Sequence, residues 1–524
     1  MTQPPTSTFD TRPTGETVVD DSYTDVIVVG GGNAGLCAAL AARQRGARVL
    51  VLDAAPVEAR GGNSLLATGT LRVSYEGMQD VKRLVPELSD DEMVGMDVGA
   101  YSESSYMDDL GRLSDYRLDV DLADQLARSS LPTLLWMARS GVRYTPTYGR
   151  QAVQVGGRHR FWGGIVVEVV GGGQGLVDAL SDALRSTGGQ IAYDMRAADL
   201  IEEDGTVTGV VVRDGRWRAM RLHAKSIVIA TGGFEANRAW RAQYLGPGWD
   251  LARVRGSRFS QGDGIGMALR VGAVPWGHWS GCHASAWDRN APEFGDEMPA
   301  GEFSRHSYPF GIMVNAAGTR FVDEGADFRT YTYARYGGEI LNQPHAVAWQ
   351  VFDQKVSYLL RSEYRSRTVT KVTAVDVNDL VGKLDDIDKE AALATIRSFN
   401  QSIDQTRPFD PADKDGRAAR GIPVVKSNWA QAIDEPPFEA YAVTCGITFT
   451  YGGLRIDNAG AVLDLRARPI RGLFAAGGVV GGLYFGNAPS GSSLVAGSVQ
   501  GRVAGAQAAE HALGLGPSGD DRGT

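Results

Sequence analysis

Three glycines and one aspartate near the start of the chain have the types and spacing of a dinucleotide-binding turn. Gly30, Gly32 and Gly35 follow the apolar run VIVV and precede an alanine-rich stretch, and Asp53 ends the next apolar run, VLVLD. Glycines let the backbone approach a pyrophosphate, and the N-terminus of the following helix offers free N–H groups to it. The Asp53 carboxylate can accept hydrogen bonds from ribose hydroxyls and would repel a 2′-phosphate, which argues against NADP. The alternative interpretation is a glycine-rich turn in an ordinary parallel sheet.

Two further glycine-rich segments favour FAD over NAD as the bound dinucleotide. Arg60–Ser64 (RGGNS) follows Asp53 closely, and Pro489–Gly505 contains a second predicted helix start. A helix N-terminus at this second site could stabilise the negative charge of a reduced flavin. The residues predicted to bind FAD are Gly30, Gly32, Asn33, Ala34, Gly35, Asp53, Arg60, Gly61, Gly62, Asn63, Ser64, Thr68, Gly69, Ala197, Thr231, Gly232, Gly233, Asp263, Gly477, Gly478, Ser492, Ser493 and Leu494.

The elements that must position these residues are those of an α/β fold. Val26–Ala55 has the pattern of strand, turn, helix and strand, and a later run, SIVI, predicts another buried strand. Residues 275–435 hold many aromatic and charged residues, and we interpret them as an inserted cap. We therefore predict a Rossmann-like FAD-binding domain from residues 23–274 and 436–513, an α+β cap or substrate domain at 275–435, a disordered tail at 1–22 and a second tail at 514–524.

Composition narrows the classes of partner. The net charge of −9 and the pI near 5.4 argue against nucleic acid as the main partner. The three cysteines, Cys37, Cys282 and Cys445, have no metal-ligand spacing, so we expect no iron–sulfur cluster or other metal site in the chain. The sequence has no signal peptide and no apolar run of about 18 residues, so we expect no membrane span and a cytoplasmic protein.

Five segments together resemble the fumarate reductase and succinate dehydrogenase flavoprotein superfamily, and within it the tricarballylate dehydrogenase type. They are Gly30–Leu40, Arg60–Ser64, Asn290–Glu297, His306–Gly337 and Thr444–Leu454. The resemblance implies a cap over FAD, oxidation of a CH–CH bond in a carboxylate-bearing substrate, and electron transfer to a separate iron–sulfur or quinone-linked partner. Covalently flavinylated relatives carry a histidine near RGGNS; this chain has Asn63 and Ser64 there, which implies non-covalent FAD.

The same resemblance places the proton-transferring residue in Gly325–Gly337. Arg329 is the first candidate, although a gapless match to fumarate reductases puts Phe328 at the arginine position. Arginine is a poor base, so His306, Tyr331 and Tyr333 are rival proton carriers. The alternative interpretation is that Arg329 only pairs with a substrate carboxylate or with Asp327.

The predicted substrate-binding residues are His283, Thr450, Tyr451 and Asn487. Arg255 and Arg258 could add positive charge, but we interpret them as part of a solvated face. The chain departs from fumarate reductases in having Phe449 near the expected histidine and Asn487–Ala488–Pro489 near the expected arginine. A substrate other than tricarballylate, larger or less charged, therefore stays open.

Three other functions compete with this interpretation. A 3-ketosteroid dehydrogenase-like or other ene-reductase activity is one, but that class uses a tyrosine where this chain has Ala488. A flavin electron-transfer module of the cobalamin-pathway type is another, and a non-catalytic redox sensor or scaffold is the third.

Overall fold

The computed structural model describes residues 24–161, 163–297 and 301–515. The tail predicted at 1–22 lies outside these residues, as does most of the tail predicted at 514–524.

The larger sheet carries the first glycine turn at the end of a buried parallel strand. Val26–Val29 lies between Val49–Leu52 and Ser226–Ile229, with all three strands parallel. The order across the sheet is Arg196–Glu203, Thr206–Arg213, Pro469–Ala475, Ser226–Ile229, Val26–Val29, Val49–Leu52 and Gln190–Ala192, with Ala219–His223 and Ala461–Leu463 added as antiparallel neighbours. Thr206–Arg213 and Ala219–His223 form an antiparallel hairpin.

Two helices at opposite ends of the chain pack closely against this sheet and each other. They are Asn33–Gln44 and Ser492–Leu513. A Cβ added to Gly501 would lie 2.2 Å from the Ala34 carbonyl oxygen, and one added to Gly505 would lie 2.0 Å from that of Ala38. Only glycine at these two positions lets the backbones approach this closely.

The other helices and short sheets surround this core. Outside the second sheet region the helices are Gly62–Leu65, Met78–Leu84, Asp90–Val94, Glu103–Leu113, Val120–Arg139, Tyr148–Gln151, Gly172–Ser186, Arg238–Trp240, Arg241–Leu245 (a π-helix) and Asp263–Arg270, with 3-10 turns at Val57–Ala59, Trp249–Leu251 and Gly477–Val479. Two small sheets combine Thr70–Leu71, Val167–Val169 and Tyr144–Pro146, and Met96–Asp97, Arg158–Phe161 and Ala152–Val155.

The second sheet is built around one long strand, Phe438–Leu454. Its partners are Arg253–Val254, Pro275–Asp288, Ala348–Phe352 and Lys371–Ala374, and Ile312–Asn315 pairs with Ala348–Phe352. The helices beside it are Arg329–Leu341, Val377–Gly382 and Lys389–Gln401, with 3-10 turns at Gly295–Glu297, Tyr308–Phe310, Pro344–Ala346, Gln354–Leu359 and Ser362–Arg365.

The long strand changes the expected boundary between the two parts. Phe438–Leu454 falls in the segment predicted for the FAD-binding domain, yet its hydrogen bonds lie in the second sheet. The 14-residue strand Pro275–Asp288 pairs antiparallel with it, with an irregularity between His278 and Cys282. The inserted region therefore begins and ends on neighbouring strands. The predicted α/β class, with a second part that mixes strands and helices, is confirmed. Among the helices that the structure describes, we find none with the length and apolar character needed to cross a bilayer.

Candidate functional site

A cavity of about 300 Å³ lies between the glycine turns of the larger sheet and the second sheet. We call the part lined by Gly30–Ala34, Asp53, Gly61–Thr70 and Gly477–Gly478 the nucleotide part. The part lined by Arg255, His283, Ser304, His306, Arg329, Tyr333 and Arg361 is the cap part.

The first glycine turn is held tightly against the sheet. Gly30 has a φ of +113°, and a Cβ there would lie 2.3 Å from the Ala230 carbonyl oxygen. A Cβ on Gly35 would lie 1.9 Å from the carbonyl oxygen of Gly30, so this glycine serves the packing of helix on turn. Gly31, which was not among the predicted residues, would clash with the Asp53 carboxylate if it had a side chain, at 2.5 Å.

Asp53 stands where a ribose-binding carboxylate is expected. Its two carboxylate oxygens accept hydrogen bonds of 3.0 Å from the Ala55 and Gly61 amides. Burial raises the pKa of this carboxyl, and the two amide hydrogen bonds oppose that effect. Because ribose hydroxyls would donate further hydrogen bonds, they would favour the ionised form.

Asn33 joins two helix starts beside the nucleotide part of the cavity. Its side-chain Nδ2 donates to the Leu494 carbonyl at 2.7 Å and to Ser498 Oγ at 2.9 Å, while its backbone N–H donates to Ser64 Oγ at 3.0 Å. The N-termini of Asn33–Gln44 and Ser492–Leu513 therefore lie side by side. Two helix N-termini directed at one cavity suit a ligand with negative charge at two places.

Most of the residues predicted to bind FAD line this cavity. Three do not: Gly35 packs against Gly30, Arg60 forms an ion pair with Asp178, and Ser492 donates to the Pro489 carbonyl at 2.7 Å. The lining set is Gly30, Gly32, Asn33, Ala34, Asp53, Gly61, Gly62, Asn63, Ser64, Thr68, Gly69, Ala197, Thr231, Gly232, Gly233, Asp263, Gly477, Gly478, Ser493 and Leu494. Thr231 Oγ1 is buried there without a hydrogen-bond partner among the described residues, as expected for a group that meets a polar ligand.

Three arginines from separate segments line the cap part. Arg329 begins the helix Arg329–Leu341, Arg361 precedes a short helix, and Arg255 follows the strand Arg253–Val254. The Arg361 side chain is 13% exposed and lies 3.6 Å from Glu363. Arg255 donates to Thr448 Oγ1 at 3.3 Å and lies over the Trp287 ring.

Two of these arginines alter the sequence interpretation. Arg255 was interpreted as part of a solvated face, but its side chain lines the cavity; Arg258, three residues on, is exposed and pairs with Asp296 at 3.0 Å. Arg361 was not predicted. It lies in the charged stretch RSEYRSR, whose pattern is that of an exposed segment, so the sequence did not indicate that Arg361 lines a cavity.

Phe328 and Arg329, the two candidates for the arginine position, have side chains in different surroundings. Phe328 packs on Trp429, with ring centroids 5.6 Å apart, inside the cap. Arg329 lines the cavity, with its guanidinium 5.5 Å from the Tyr333 ring centroid and Nη2 3.4 Å from Gln151 Oε1. Asp327 pairs with Arg112 at 2.9 Å and with Lys414 at 3.4 Å.

Two buried histidines lie among these arginines. Burial lowers the pKa of His283 to about 3, and Arg255 acts in the same direction. Burial also lowers the pKa of His306, helped by Arg255, Arg329 and Arg361. Both imidazoles are therefore neutral at pH 7. His283 Nδ1 and His306 Nε2 have no hydrogen-bond partner among the described residues, and the Tyr333 ring packs on both imidazoles.

Tyr331 and Asn487, predicted as a proton carrier and a substrate-binding residue, do not line the cavity and instead hydrogen-bond to other parts of the protein. The Tyr331 hydroxyl donates to Asp109 at 2.8 Å, close to Arg72, and neither Tyr331 nor Asn487 belongs to the described lining. Asn487 Nδ2 donates to the Tyr331 carbonyl at 2.6 Å. Both residues thus fasten the start of the Arg329 helix to the larger domain. Tyr331 does not point the same way as Arg329, because side chains two apart on a helix point in different directions.

Thr450 and Tyr451 line the cavity beside Phe449 and Tyr484. Thr450 Oγ1 accepts a hydrogen bond from the Phe234 amide at 3.3 Å, and Tyr451 Oη is buried without a partner among the described residues. The rings of Phe449 and Tyr484 are 5.9 Å apart. Together these side chains form an aromatic wall next to the cap part.

Comparison with known proteins identifies the dinucleotide. A family model described as "FAD binding domain" matches residues 25–495. The chain belongs to the FAD-binding domain family. It is 29% identical over 509 residues to a probable fumarate reductase of Shewanella frigidimarina, a match that covers 94% of this chain and 75% of the relative. It is 25% identical over 535 residues to a 3-oxosteroid 1-dehydrogenase of Mycobacterium tuberculosis, covering 87% and 92%.

A solved structure of a flavocytochrome c3 fumarate reductase in an open conformation has the same fold. The TM-score is 0.70 at 26% identity, over 94% of this chain and 78% of that one. The glycine turns, Asp53 and the paired helix N-termini fit FAD, and the family members act on CH–CH bonds. This FAD-binding protein is therefore an oxidoreductase that acts on CH–CH bonds.

Proposed function

We propose that this FAD-dependent oxidoreductase dehydrogenates a tricarballylate-like polycarboxylate to the alkene. The observation that carries the proposal is the convergence of Arg255, Arg329 and Arg361 on the cap part of the cavity. Guanidinium groups bind carboxylates through charge-assisted and often bidentate hydrogen bonds.

The surroundings of the arginines also favour an anionic substrate. The lining side chains that come from residues 275–435 are His283, Ser304, His306, Arg329, Tyr333 and Arg361, and none of these described side chains is acidic. The buried imidazoles are neutral, so they add hydrogen-bonding groups without adding charge. A substrate with two or more carboxylates would balance the positive charge that the arginines concentrate here.

Dehydrogenation needs a two-electron acceptor on one face of the substrate and a proton acceptor on the other. FAD, when bound, supplies the electron acceptor. Arg329 is the cap residue proposed to contact the reacting carbon and receive the proton, because it starts a helix and lines the cavity. Arg329 can receive that proton only after its guanidinium has given up a proton of its own, and the neutral imidazole of His306 can accept the latter.

The substrate end of the site is also shielded from water. Phe449, Tyr451 and Tyr484 form the aromatic wall, and the Tyr333 ring packs on His283 and His306. Exclusion of water strengthens the pairing of arginine with carboxylate.

A 3-ketosteroid-type substrate is the second candidate. The aromatic wall favours it, since a flat apolar substrate could pack on Phe449 and Tyr484, and one relative is a 3-oxosteroid 1-dehydrogenase. The three arginines argue against it, because an apolar substrate has no carboxylate for a guanidinium group to bind.

Reduction of the bound flavin under anaerobic conditions tests the proposal. The purified yellow holoprotein would be mixed with tricarballylate, with succinate and with a 3-ketosteroid, and the loss of visible flavin absorbance recorded. We expect fast bleaching with the tricarboxylate and slower bleaching with succinate. Bleaching by the steroid alone would support the second candidate and overturn the first.

The electron acceptor is part of the same proposal. We expect a separate iron–sulfur or quinone-linked partner to reoxidise the flavin, and a substrate-reduced sample would show it as a faster return of the absorbance. A sample that no substrate bleaches but that a reduced partner protein bleaches rapidly would favour the electron-transfer function.

A further inference from the structure

Glu235 is a buried acidic residue on the cavity wall. It has no role in the proposed substrate binding, and it does not belong to the glycine turns of the nucleotide part. It follows the strand Ser226–Ile229 and the glycine pair Gly232–Gly233. The residue is 1% exposed, and it lines the cavity beside Gly233 and Asn63.

One carboxyl oxygen of Glu235 is held by Asn63, and the other is buried near Gly233. Asn63 Nδ2 donates to Glu235 Oε1 at 2.7 Å and to the Thr448 carbonyl at 2.8 Å, and Asn63 Oδ1 accepts from the Ser257 amide at 2.7 Å. The orientation of the Asn63 amide is therefore fully determined. Glu235 Oε2 is buried without a hydrogen-bond partner among the described residues, and a Cβ on Gly233 would lie 2.6 Å from it.

Among the described residues, no charged group near Glu235 forms a salt bridge with its carboxyl. Arg241 donates to the backbone carbonyls of Glu235 and Asp250, at 2.7 and 3.1 Å, rather than to the carboxyl. Arg238 pairs with Glu293 and Arg60 with Asp178.

On the facing strands of the second sheet, burial raises the pKa of Cys282 and Cys445, so both thiols are neutral at pH 7. Arg255 lies on the far side of Thr448, with its guanidinium over Trp287. Burial raises the pKa of Glu235 to about 7, against smaller lowering effects of its hydrogen bonds and of Arg241.

We propose that Glu235 takes up one proton from bulk water when the bound FAD is reduced by two electrons, and releases it when FAD is reoxidised. Reduction adds negative charge to the cavity, and a proton taken up by the Glu235 carboxylate on the cavity wall would offset that charge. The electrons come from the substrate, the proton comes from solvent, and the O–H bond forms on Glu235 Oε2. The inference depends on FAD and on no particular substrate.

The pH dependence of the flavin midpoint potential reports this proton. Below the carboxyl pKa of the oxidised protein, Glu235 is protonated in both redox states and contributes nothing to the slope. Reduction raises that pKa further, so between the two values an extra proton is bound per two electrons and the potential falls more steeply with pH. Above both values, the ionised carboxylate lowers the potential by a constant amount.

The experiment measures midpoint potentials of the FAD-loaded protein from pH 5.5 to 9 with reference dyes. We expect the wild type to show the steeper window above pH 7. Glu235→Gln keeps the acceptor for Asn63 and should lose that window, match the wild type below pH 6 and have a higher potential above pH 8. Glu293→Gln, an acid outside the cavity and 41% exposed, is the matched control and should follow the wild type throughout.

Identical slopes in the wild type and Glu235→Gln across the whole range would overturn the inference. If Glu235→Gln does not retain FAD, infrared difference spectra of the wild type decide the matter. Reduction at pH 8 should then produce the C=O band of a protonated carboxyl group that shifts in D₂O, and its absence would equally reject the assignment.

Discussion

The nucleotide part and the cap part of the same cavity are built by different means. The nucleotide part consists largely of backbone and small side chains: glycine turns, two helix N-termini and the carboxylate of Asp53. The cap part consists of long side chains, with three arginines and two histidines that come from segments between residues 255 and 361. We therefore expect one part to recognise its ligand through close approach, and the other, under the proposed function, through charge.

This difference predicts how each part responds to substitution. A backbone site fails when a side chain is added, because the clash is with atoms that cannot move away. A side-chain site fails when a charge is removed, and the rest of the molecule stays folded. The cofactor and the substrate should therefore be separable by mutation.

The largest expected effect is at Gly35. Gly35→Ala would place a Cβ 1.9 Å from the Gly30 carbonyl oxygen, which forces the first helix away from the turn. We expect a protein that is colourless or insoluble, measured as the ratio of flavin to protein absorbance after purification. Gly382→Ala, in a helix where an added Cβ meets nothing within 4 Å, should keep full FAD content. A fully yellow Gly35→Ala protein would break the distinction.

The next effect is at Arg329. Arg329→Ala should retain FAD while turnover falls by about 10²- to 10⁴-fold, the range for loss of a general acid or base. Turnover per bound flavin, in steady state with an artificial acceptor, gives the measurement. The control is Arg335→Ala on the same helix, whose side chain is 63% exposed and pairs with Glu339. Undiminished turnover in Arg329→Ala would remove this residue from the reaction.

A smaller effect is expected at the two arginines that the sequence interpretation misjudged or missed. Arg255→Gln and Arg361→Gln should each raise KM about 10- to 100-fold, since a hydrogen bond to a charged group contributes about 1.5–3 kcal/mol. FAD content should not change.

A surface arginine lies a few residues after each of these two arginines, and its substitution serves as the control. Arg258→Gln breaks the pair with Asp296, and Arg365→Gln breaks the pair with Glu439, and both should leave KM unaltered. Equal effects in the inner and outer variants would mean that the cavity arginines do not bind the substrate.

The smallest expected effect concerns stability in acid. The pKa of His283 is lowered by burial to about 3, against about 6.5 in an unfolded chain. Between these values the unfolded state binds a proton that the folded state does not, so the free energy of unfolding falls as pH drops below about 6.5.

At pH 5 this contribution amounts to about 2 kcal/mol, from about 1.4 kcal/mol per pH unit. Urea unfolding at pH 7.5 and pH 5 should show a smaller loss of stability in His283→Gln than in the wild type. His223→Gln, at an exposed position in the strand Ala219–His223, should lose as much as the wild type. An unchanged loss in His283→Gln would place the acid sensitivity elsewhere.

The sequence predicted the nucleotide part better than the cap part for a physical reason. The glycines at 30, 32 and 35, with Asp53 at the end of the next strand, are fixed by local geometry, and local geometry appears as spacing in the sequence. Gly31 and Glu235 were missed because their importance comes from contacts with Asp53 and Asn63, which only folding creates.

In the cap part, the family resemblance suggested Arg329, but the sequence could not show whether its side chain faces the cavity. The identity of the cavity-facing residue depended on Phe328 packing against Trp429, about 100 residues later in the chain. The residue type of Tyr331 suits a proton carrier, but its hydroxyl donates a hydrogen bond to Asp109. The strand Phe438–Leu454 likewise gave no sign that its partners would be those of the second sheet.

By itself the sequence determined the α/β class and the dinucleotide-binding turn, because each depends on residues close together in the chain. The resemblance of five separate segments indicated the oxidoreductase family. The tertiary structure decided which arginines face the cavity and which pair at the surface. Arg255 and Arg258, or Arg361 and Arg365, are the same residue type a few positions apart, and only one member of each pair lines the cavity. Burial is a property of the packed molecule, and no pattern of residue types specifies it alone.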